Sequence, residues 1–444
     1  MEANIELKKT LARLIPEWNK DLRAFVKENG SVKADEVSID QIMGGMRSIK
    51  ALPCDTSYLD AMEGIRFRGF TIPEVREKLP KPAPDAVPSP LALWHLLLTG
   101  EMPSAAAAQE LEEEIRRRSE VPAYVMDAMR ALPKDMHPMT QLSIGVLAMQ
   151  KDSVFAKKYS EGMKKDEHWD AMLEDSLTLV ARLPVIAAFI YRRTYKDGTV
   201  IPADPKLDWA ANMAHMMGVD NKDYQNLCRL YLLLHSDHES GNVSAHTGLL
   251  VGSALSDIYY SVSAALNGLA GPLHGLATQE CLNWILGLMK AYGGRTPTKE
   301  EVEKYAWETL NAGHVIPGFG HAVLRNTDPR YVAQSDFGAK YLPEDPIYKT
   351  VTTMLEVIPP VLRQLGKVKN PWPNVDAMTG CLQQHYGITE TDFYTVIFGV
   401  SRALGITAQA VWARGIHFPL ERPKSVTTRM LKDIAAKSKA GAAA

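Results

Sequence analysis

Helical periodicity is the feature that most constrains how this chain can fold, because apolar residues recur at the spacing of a helix face through most of its length. Residues 296–313, TPTKEEVEKYAWETLNAG, are the clearest case. Thr298 and Glu301 have the spacing of a capping box, and Gly313 stands where a C-terminal glycine belongs. Residues 104–119, SAAAAQELEEEIRRRS, predict a second capped helix.

Strand signals are scarce by comparison. The best candidate is residues 32–40, VKADEVSID, which predicts at most a small strand. No repeat of roughly 20–50 residues is present, which argues against a helical solenoid. We therefore predict a nearly all-α fold.

The length of 444 residues exceeds the size at which one hydrophobic core usually stops growing, so we expect two domains. The chain has 50 lysines and arginines against 52 aspartates and glutamates. This balance gives no basic excess for nucleic acid, so any anion site must come from a local cluster.

Cysteine usage and apolar runs bear on the cellular compartment. Four separated cysteines without a CxxC pair argue against a disulfide framework and fit a reducing compartment: Cys54, Cys228, Cys281 and Cys381. The most apolar run, residues 178–193, is interrupted by Arg182 and Pro184, so no membrane span is expected. The N-terminus has no signal peptide and is too acidic for a transit peptide. We expect a cytoplasmic protein, with the mitochondrial matrix after removal of a presequence as the alternative.

Residues 247–277 are rich in Gly, Ala and Ser, which allow helices to approach closely. The stretch is long enough for a buried helix, and packing against a partner subunit is plausible. Two proline-rich segments interrupt the helical pattern. Residues 79–90 predict a surface loop, and residues 367–376 could form an inter-domain hinge.

Histidines are candidate functional groups, since P-loop, Rossmann, α/β-hydrolase and zincin signatures are absent. His235 and His238 lie three positions apart and are predicted to share one helix face. A metal site would also require a Glu or Cys at ligand spacing, so structural roles and substrate contacts are the alternatives. His274, within AGPLHGLA, is either a functional group or an ordinary turn residue.

Residues 317–330, PGFGHAVLRNTDPR, place His321 directly after Gly-Phe-Gly. Asp328 and Pro329 predict the start of a helix, with Arg330 in its first turn. Arg330 could bind a carboxylate through two parallel hydrogen bonds or pair with a surface acid.

Two further charged residues occupy constrained places. Asp376 follows Pro371 and Pro373, and is either a helix N-cap or a rigidly held carboxylate able to accept a proton. Arg402 lies within an apolar helix, where an unpaired charge is costly to bury. Its side chain either reaches solvent or meets an anion in a cleft.

Six stretches, taken in order, resemble the citrate synthase family in its eukaryotic-type branch, which some bacteria also carry. They are HSDHESGNVSAHT, GLAGPLHGLA, PGFGHAVLRNTDPRY, NPWPNVDA, FGVSRALG and FPLERPKS. The resemblance covers nearly the whole chain. It implies an acyltransferase that condenses acetyl-CoA with oxaloacetate and water to citrate and CoA, the entry step of the tricarboxylic acid cycle, without metal or cofactor.

The same resemblance assigns residues to roles. The catalytic residues would be His274, His321 and Asp376. Oxaloacetate would be bound by His321 with His238, Arg330, Arg402 and Arg422, the last from the partner subunit. Coenzyme A would be surrounded by Arg47, Lys165, Val315, Gly318, Ala322, Lys367, Lys369 and Asn374. Lys165 and Phe319 depart from the family, which usually carries arginine and tyrosine there.

The resemblance also implies a two-domain helical fold with the active site in the cleft between the domains. The large domain would comprise residues 1–276 and 381–444, and the small domain residues 277–380. The family implies a homodimer.

Two other functions fit the same helical pattern. One is a 2-methylcitrate synthase that uses propionyl-CoA, because one methylene is worth only about 1–3 kcal/mol of discrimination. The other is a non-catalytic helical interaction protein, which would release no thiol from acetyl-CoA and oxaloacetate.

Overall fold

The computed structural model describes residues 2–366 and 368–442, and α-helices account for most of them. The first ten helices are α1 Glu6–Asn29, α2 Ile39–Met43, α3 Ile72–Lys78, α4 Pro90–Thr99, α5 Ala105–Arg117, α6 Ala123–Ala131, α7 Pro138–Ala148, α8 Val154–Ser160, α9 His168–Tyr195 and α10 Trp209–Met217. They are followed by α11 Lys222–Leu234, α12 Val243–Ser253, α13 Ile258–Leu269, α14 Ala277–Ala291, α15 Lys299–Asn311, α16 Pro329–Tyr341, α17 Pro346–Gln364, α18 Asp376–His385, α19 Tyr394–Gly415 and α20 Thr428–Ala442. The predicted all-α fold is confirmed.

Local capping signals set the ends of the predicted helices. Thr298 and Glu301 form the predicted capping box at the start of α15. The backbone turns at Gly313, whose φ of +81° is in the left-handed region that favours glycine. Ser104 caps α5 by accepting a hydrogen bond from the backbone N–H of Ala107.

The predicted strand over residues 32–40 is wrong. Ser38 instead caps α2 in a capping box with Gln41. Val32 and Val37 are exposed, so the segment has no buried face that would hold it in a sheet. The small antiparallel sheet lies further along the chain, in the order β1 (Ser57–Asp60), β2 (Gly64–Phe67) and β3 (Phe70–Thr71).

Two groups of helices pack around separate parts of the core. Helices α14 to α18 pack chiefly on one another, through pairs such as α14 with α18 and α15 with α17. The long helix α19 packs instead against α9, α4 and α13. The predicted small domain begins where α14 begins. Its predicted end at 380 lies inside α18, which continues to His385.

The small-residue stretch forms two helices, α12 and α13, rather than one. The break is local, because Leu255 has a φ of +63° and Asp257 caps α13. The two helices approach closely: a Cβ on Gly248 would lie 3.1 Å from Cβ of Ala265. Leu250 and Tyr260 are exposed on this pair.

The segment Thr391–Gly415 is long and apolar enough to cross a membrane by length and composition. However, 89% of its most apolar window is buried inside the protein. It is therefore a core helix, and it carries Arg402 into the interior. All four cysteines are free; Cys54 is half-buried and the other three are buried.

A half-buried carboxylate on α5 generates a test of stability against pH. Glu112 on α5 accepts hydrogen bonds from the hydroxyl of Ser89 and from the backbone N–H of Trp209. Burial, followed by the charge of Asp208, raises the pKa of Glu112 to about 7. Because the folded-state pKa lies above the ordinary value of 4.5, the protonated acid stabilises the fold at low pH. That contribution decreases as pH rises from about 4.5 through about 7.

We therefore expect Glu112→Gln to become more stable than the wild type as pH rises. The gain in unfolding free energy between pH 5 and pH 8 should be on the order of 1–3 kcal/mol, measured by urea denaturation. The exposed neighbour Glu113 provides the matched control. Glu113→Gln should follow the wild-type pH dependence, and identical behaviour of both variants would contradict the prediction.

Candidate active site

Six predicted site residues converge where the two groups of helices meet. The rings of His238 and His321 lie 6.3 Å apart between centroids. Arg330 lies close enough to affect the pKa values of both histidines and of Asp376. Arg402 likewise affects the pKa values of His238 and His274. These six residues come from α16, α18 and α19 and from the loops after α11, α13 and α15.

His274 lies in the loop between α13 and α14, and its tautomer follows from its neighbours. The backbone N–H of Ser244 points at Nε2 of His274, with 3.2 Å between the nitrogens. The Ser244 hydroxyl lies 2.9 Å from the same nitrogen. Since a backbone N–H can only donate, Nε2 is the acceptor and the ring proton is on Nδ1. Burial and Arg402 lower the pKa of His274 to about 4, so the ring is neutral at pH 7 and presents Nδ1–H as a donor.

His321 is also oriented by backbone N–H donors, but its neutral ring has the opposite tautomer. Its Nδ1 accepts hydrogen bonds from the backbone N–H groups of Val323 and Leu324, at 3.0 and 3.1 Å. The proton of the neutral ring is therefore on Nε2. Burial and the neighbouring Arg330 lower the pKa of His321, which favours this neutral form.

Asp376 is the first residue of α18, and Val375 occupies the N-cap position that we considered for Asp376. Its carboxylate accepts a hydrogen bond of 2.5 Å from the hydroxyl of Thr278. Burial raises the pKa of Asp376, against the opposing effects of Thr278 and Arg330. A carboxylate with a raised pKa and a fixed position is a better base than an exposed aspartate.

Arg330 is buried at the start of α16 and pairs with a buried acid rather than a surface one. Asp328 caps the helix by accepting from the backbone N–H of Arg330 at 2.9 Å. Its carboxylate also accepts from Nε of Arg330 at 3.1 Å and from Nη2 at 2.7 Å. Burial alone would favour neutral Asp328, but Arg330 holds the pKa of this carboxyl below its ordinary value.

Arg402 does not reach solvent. Its Nε donates to the backbone oxygen of His235 at 3.2 Å, and Nη1 donates to Oδ1 of Asn242 at 3.1 Å. Burial lowers the pKa of Arg402 to about 10, so the side chain stays charged at pH 7. An arginine whose hydrogen bonds go to neutral oxygens favours an anion beside it.

The predicted common helix face of His235 and His238 is wrong. Helix α11 ends at Leu234, so His238 lies in the turn beyond it. The buried carboxylate of Asp237 fixes this turn. It accepts hydrogen bonds from the hydroxyl of Thr56 at 2.5 Å and from the side-chain amide of Gln409 at 2.6 Å. Burial and then the two arginines hold the pKa of His238 well below its ordinary value, so this histidine is also neutral.

The loop that carries His321 is tied to two neighbouring segments. Gly320 donates its backbone N–H to the oxygen of Trp372, and Asn374 donates to the oxygen of Gly318. Gly318 has a φ of +81°, and a Cβ there would lie 2.6 Å from Sγ of Cys281, so the close packing of this loop requires glycine. On the other side, Arg325 donates its backbone N–H to the oxygen of Ala61 in the β1–β2 turn.

Most of the remaining predicted residues are exposed. Arg422 is exposed in an extended segment before α20. Arg47, Lys165, Val315, Ala322 and Lys369 are also exposed. Asn374 is half-buried and donates through its side chain to the backbone oxygen of Gly320 at 3.0 Å. Lys367 lies outside the described residues.

Sequence reasoning missed the groups that hold these side chains. Ser244, Thr278, Asp328 and Asn242 each bond to a predicted site residue. Only the Asp328-Pro329 helix start gave a local signal. Among residues 2–366 and 368–442, no three His, Cys, Asp or Glu side chains are grouped so that they could hold a metal ion.

Comparison with known proteins gives consistent results. Residues 45–424 match the family model described as citrate synthase, C-terminal domain. The mitochondrial citrate synthase of Daucus carota is 52% identical over 436 residues, covering 98% of this chain and 92% of that protein. The mitochondrial citrate synthase of Saccharomyces cerevisiae is 51% identical over 431 residues, covering 97% and 90%.

Solved structures show the same fold. The citrate synthase of Pyrobaculum aerophilum aligns with a TM-score of 0.75 at 26% identity, covering 87% of this chain and 92% of that one. A Thermoplasma acidophilum citrate synthase, solved in a ternary complex with carboxymethyl coenzyme A and oxaloacetate, aligns with a TM-score of 0.73 at 21% identity. That alignment covers 88% of this chain and 97% of the other.

The buried Asp328–Arg330 pair generates a prediction for the site. Asp328→Asn retains a helix cap but leaves the Arg330 charge unpaired in the interior, which should cost about 3–5 kcal/mol of unfolding free energy by urea denaturation. Asp336 provides the control, because it pairs with Arg76 at 3.3 Å on the surface. Asp336→Asn should cost less than about 1 kcal/mol. Equal losses in the two variants would contradict a special role for the buried pair.

Proposed function

This chain belongs to the citrate synthase family and acts as an acyltransferase that condenses acetyl-CoA with oxaloacetate, and we propose that the six converging residues carry out that reaction. The observation that supports this assignment best is the pair of fixed tautomers, Nδ1–H on His274 near the buried Arg402 and Nε2–H on His321 near the buried Arg330. Each ring presents one donor to the site, as a reaction that develops negative charge on two carbonyl oxygens requires.

Asp376 is proposed as the base that removes a proton from the acetyl methyl group. An ordinary aspartate, with a pKa of about 3.9, is too weak for so weak an acid unless the enolate is stabilised as it forms. Nδ1–H of His274 would donate to the thioester oxygen and supply that stabilisation. Because the ring is already neutral, it can donate without transferring a full proton.

The enol carbon would then attack the ketone of oxaloacetate. Nε2–H of His321 would donate to the ketone oxygen, which carries the developing negative charge. His238, Arg330 and Arg402 would bind the substrate, with the arginines on its carboxylates. Water then hydrolyses the citryl-CoA thioester, which releases CoA and favours the forward direction. The chemistry uses no metal or redox cofactor, and coenzyme A enters as part of a substrate.

Coenzyme A is proposed to lie along the loop that carries His321. Val315 and Ala322 bound residues 315–322 of this loop, and both are exposed. Lys369 is exposed on the adjoining 368–374 segment. Gly318 and Asn374 would shape this surface through the hydrogen bonds between the two segments. Arg47 and Lys165, and Lys367 by the resemblance, would contact phosphates as cations.

Localisation stays a proposal. The similar proteins from carrot and yeast are named mitochondrial, and they do not support the cytoplasmic location expected from the N-terminus. We therefore favour the alternative, the mitochondrial matrix.

The thiol-release assay tests the activity and its substrate preference. With oxaloacetate present, kcat/KM should be clearly higher for acetyl-CoA than for propionyl-CoA, and the reverse order would favour the 2-methylcitrate synthase alternative. Asp376→Ala should fold but lose several orders of magnitude in turnover, on the order of 10³-fold or more, because the proposed base is removed. Near-normal turnover of that variant would refute the assigned base, and absence of thiol release by the wild type would favour the interaction protein.

A homodimer with Arg422 acting across subunits is supported by the exposed apolar residues Leu250, Tyr260 and Leu420 near the α12–α13 pair and before α20. Complementation tests it. Arg422→Ala and Asp376→Ala should each be nearly inactive alone. After the two are mixed, unfolded and refolded together, a mixed dimer contains one intact site, so activity should recover to about a quarter of the wild type. No recovery, with a mixed dimer confirmed by tagging, would place Arg422 in its own subunit's site.

A further inference from the structure

His235 is a buried histidine beside the site that the proposed mechanism does not use. Its ring stacks on Tyr231 with the centroids 4.1 Å apart, and its other side meets the edge of Phe398 at 5.4 Å. The position is the C-cap of α11, three residues before His238.

The tautomer of His235 is set by its own helix. Nδ1 lies 3.0 Å from the backbone oxygen of Tyr231. Because a carbonyl oxygen only accepts, Nδ1 carries the proton and Nε2 carries a lone pair. Nε2 is buried, and no group in the described part of the chain donates to it. A buried acceptor without a donor is unfavourable, and a bound donor would remove that cost.

His235 lies beside an arginine that is proposed to bind oxaloacetate, because its backbone oxygen accepts a hydrogen bond from Nε of Arg402 at 3.2 Å. After burial, the charged groups that act most on His235 are Arg330, Arg402 and Asp328. The guanidinium of Arg402 also lies 4.8 Å above the Phe398 ring that His235 meets. Burial and Arg330 lower the pKa of His235 to about 3, so the ring accepts and never donates through Nε2 at neutral pH.

Few molecules in this pocket can donate to such an acceptor. Ionised oxaloacetate in its keto form and the acetyl thioester carry no O–H or N–H at their reacting ends. Nε and Nη2 of Arg330 are used by Asp328, and Nη1 is proposed to bind a substrate carboxylate. Water is a donor, and one water molecule is consumed in the proposed reaction.

We propose that His235 is a positioning residue, whose Nε2 accepts a hydrogen bond from the water molecule that hydrolyses citryl-CoA. The inference rests on the proposed function and adds a residue to its second half. With one hydrogen held by His235, the other water hydrogen is directed toward Asp376 and a lone pair toward the thioester carbon.

The step begins once the proton that Asp376 took from the acetyl methyl group has passed to the citryl alkoxide, so that Asp376 is again a carboxylate. From there the step balances without a further reactant. The water oxygen bonds to the thioester carbon as Asp376 takes the second water proton. The carbon–sulfur bond then breaks, and Asp376 returns that proton to the leaving sulfur to give the CoA thiol. The new carboxylic acid ionises to solvent. His235 holds the same proton on Nδ1 throughout.

The experiment compares His235→Phe with His235→Gln in the full-length enzyme. Phenylalanine keeps a ring between Tyr231 and Phe398 but has no acceptor, whereas glutamine can place an oxygen near the former Nε2. Synthetic citryl-CoA should be hydrolysed on the order of 100-fold more slowly by His235→Phe, with most of the rate recovered in His235→Gln. Citryl-CoA should also accumulate in acid-quenched mixtures of His235→Phe with acetyl-CoA and oxaloacetate, while the KM for oxaloacetate stays within about threefold.

Other outcomes overturn the proposal. Wild-type hydrolysis of citryl-CoA by His235→Phe would remove the role, and an equal loss in condensation and hydrolysis would make it purely structural. A selective loss of citrate affinity would assign the acceptor to the product hydroxyl instead. If His235→Phe melts early, His235→Asn gives the same comparison, because its amide can donate to Tyr231 but does not reach the Nε2 position. Failure of the wild type to release thiol would contradict the function itself and not this role.

Discussion

Two arginine side chains withdrawn from water, Arg330 and Arg402, set the constraint on which the rest of the site depends. A buried charge is costly unless it is paired. Arg330 meets this requirement through Asp328, which uses Nε and Nη2 and leaves Nη1 for a ligand. Arg402 bonds only to neutral oxygens, so an anionic substrate would complete its pairing. The proposed binding of a dicarboxylate would recover the cost of burying these charges.

The same two charges organise the histidines. Positive charge nearby and burial both oppose protonation, so His238, His274 and His321 are neutral and each can offer one donor and one acceptor. Backbone N–H groups donate to Nε2 of His274 and to Nδ1 of His321, and so leave the ring proton on the other nitrogen of each ring. Side chains with rotating hydroxyls could not fix the tautomer as firmly, because they can either donate or accept. The folded chain therefore fixes which nitrogen of each ring is the donor before any substrate arrives.

Much of this arrangement was visible in the sequence, and the failures have local causes. The Asp328-Pro329 helix start and the Thr298 capping box were predicted correctly, because capping depends on residues only a few positions apart. The prediction of a strand over residues 32–40 was wrong because Ser38 caps a helix there and the segment has no buried face. The His235–His238 pairing failed because α11 ends at Leu234, and no glycine or proline marks that end.

The sequence by itself determined the helical class, the helix caps and, through six ordered stretches, the family from which the reacting residues are proposed. Only the tertiary structure decided how these residues are oriented and charged. The bonds that do so join Ser244 to His274, Thr278 to Asp376 and Arg402 to the backbone of His235, across separations of 30, 98 and 167 positions. Helix formation is governed by neighbours three and four positions apart, whereas pKa values and tautomers follow from burial and from partners brought together by packing. That physical difference is why the tautomer of His274, a lone histidine in a turn, is determined only in the folded chain.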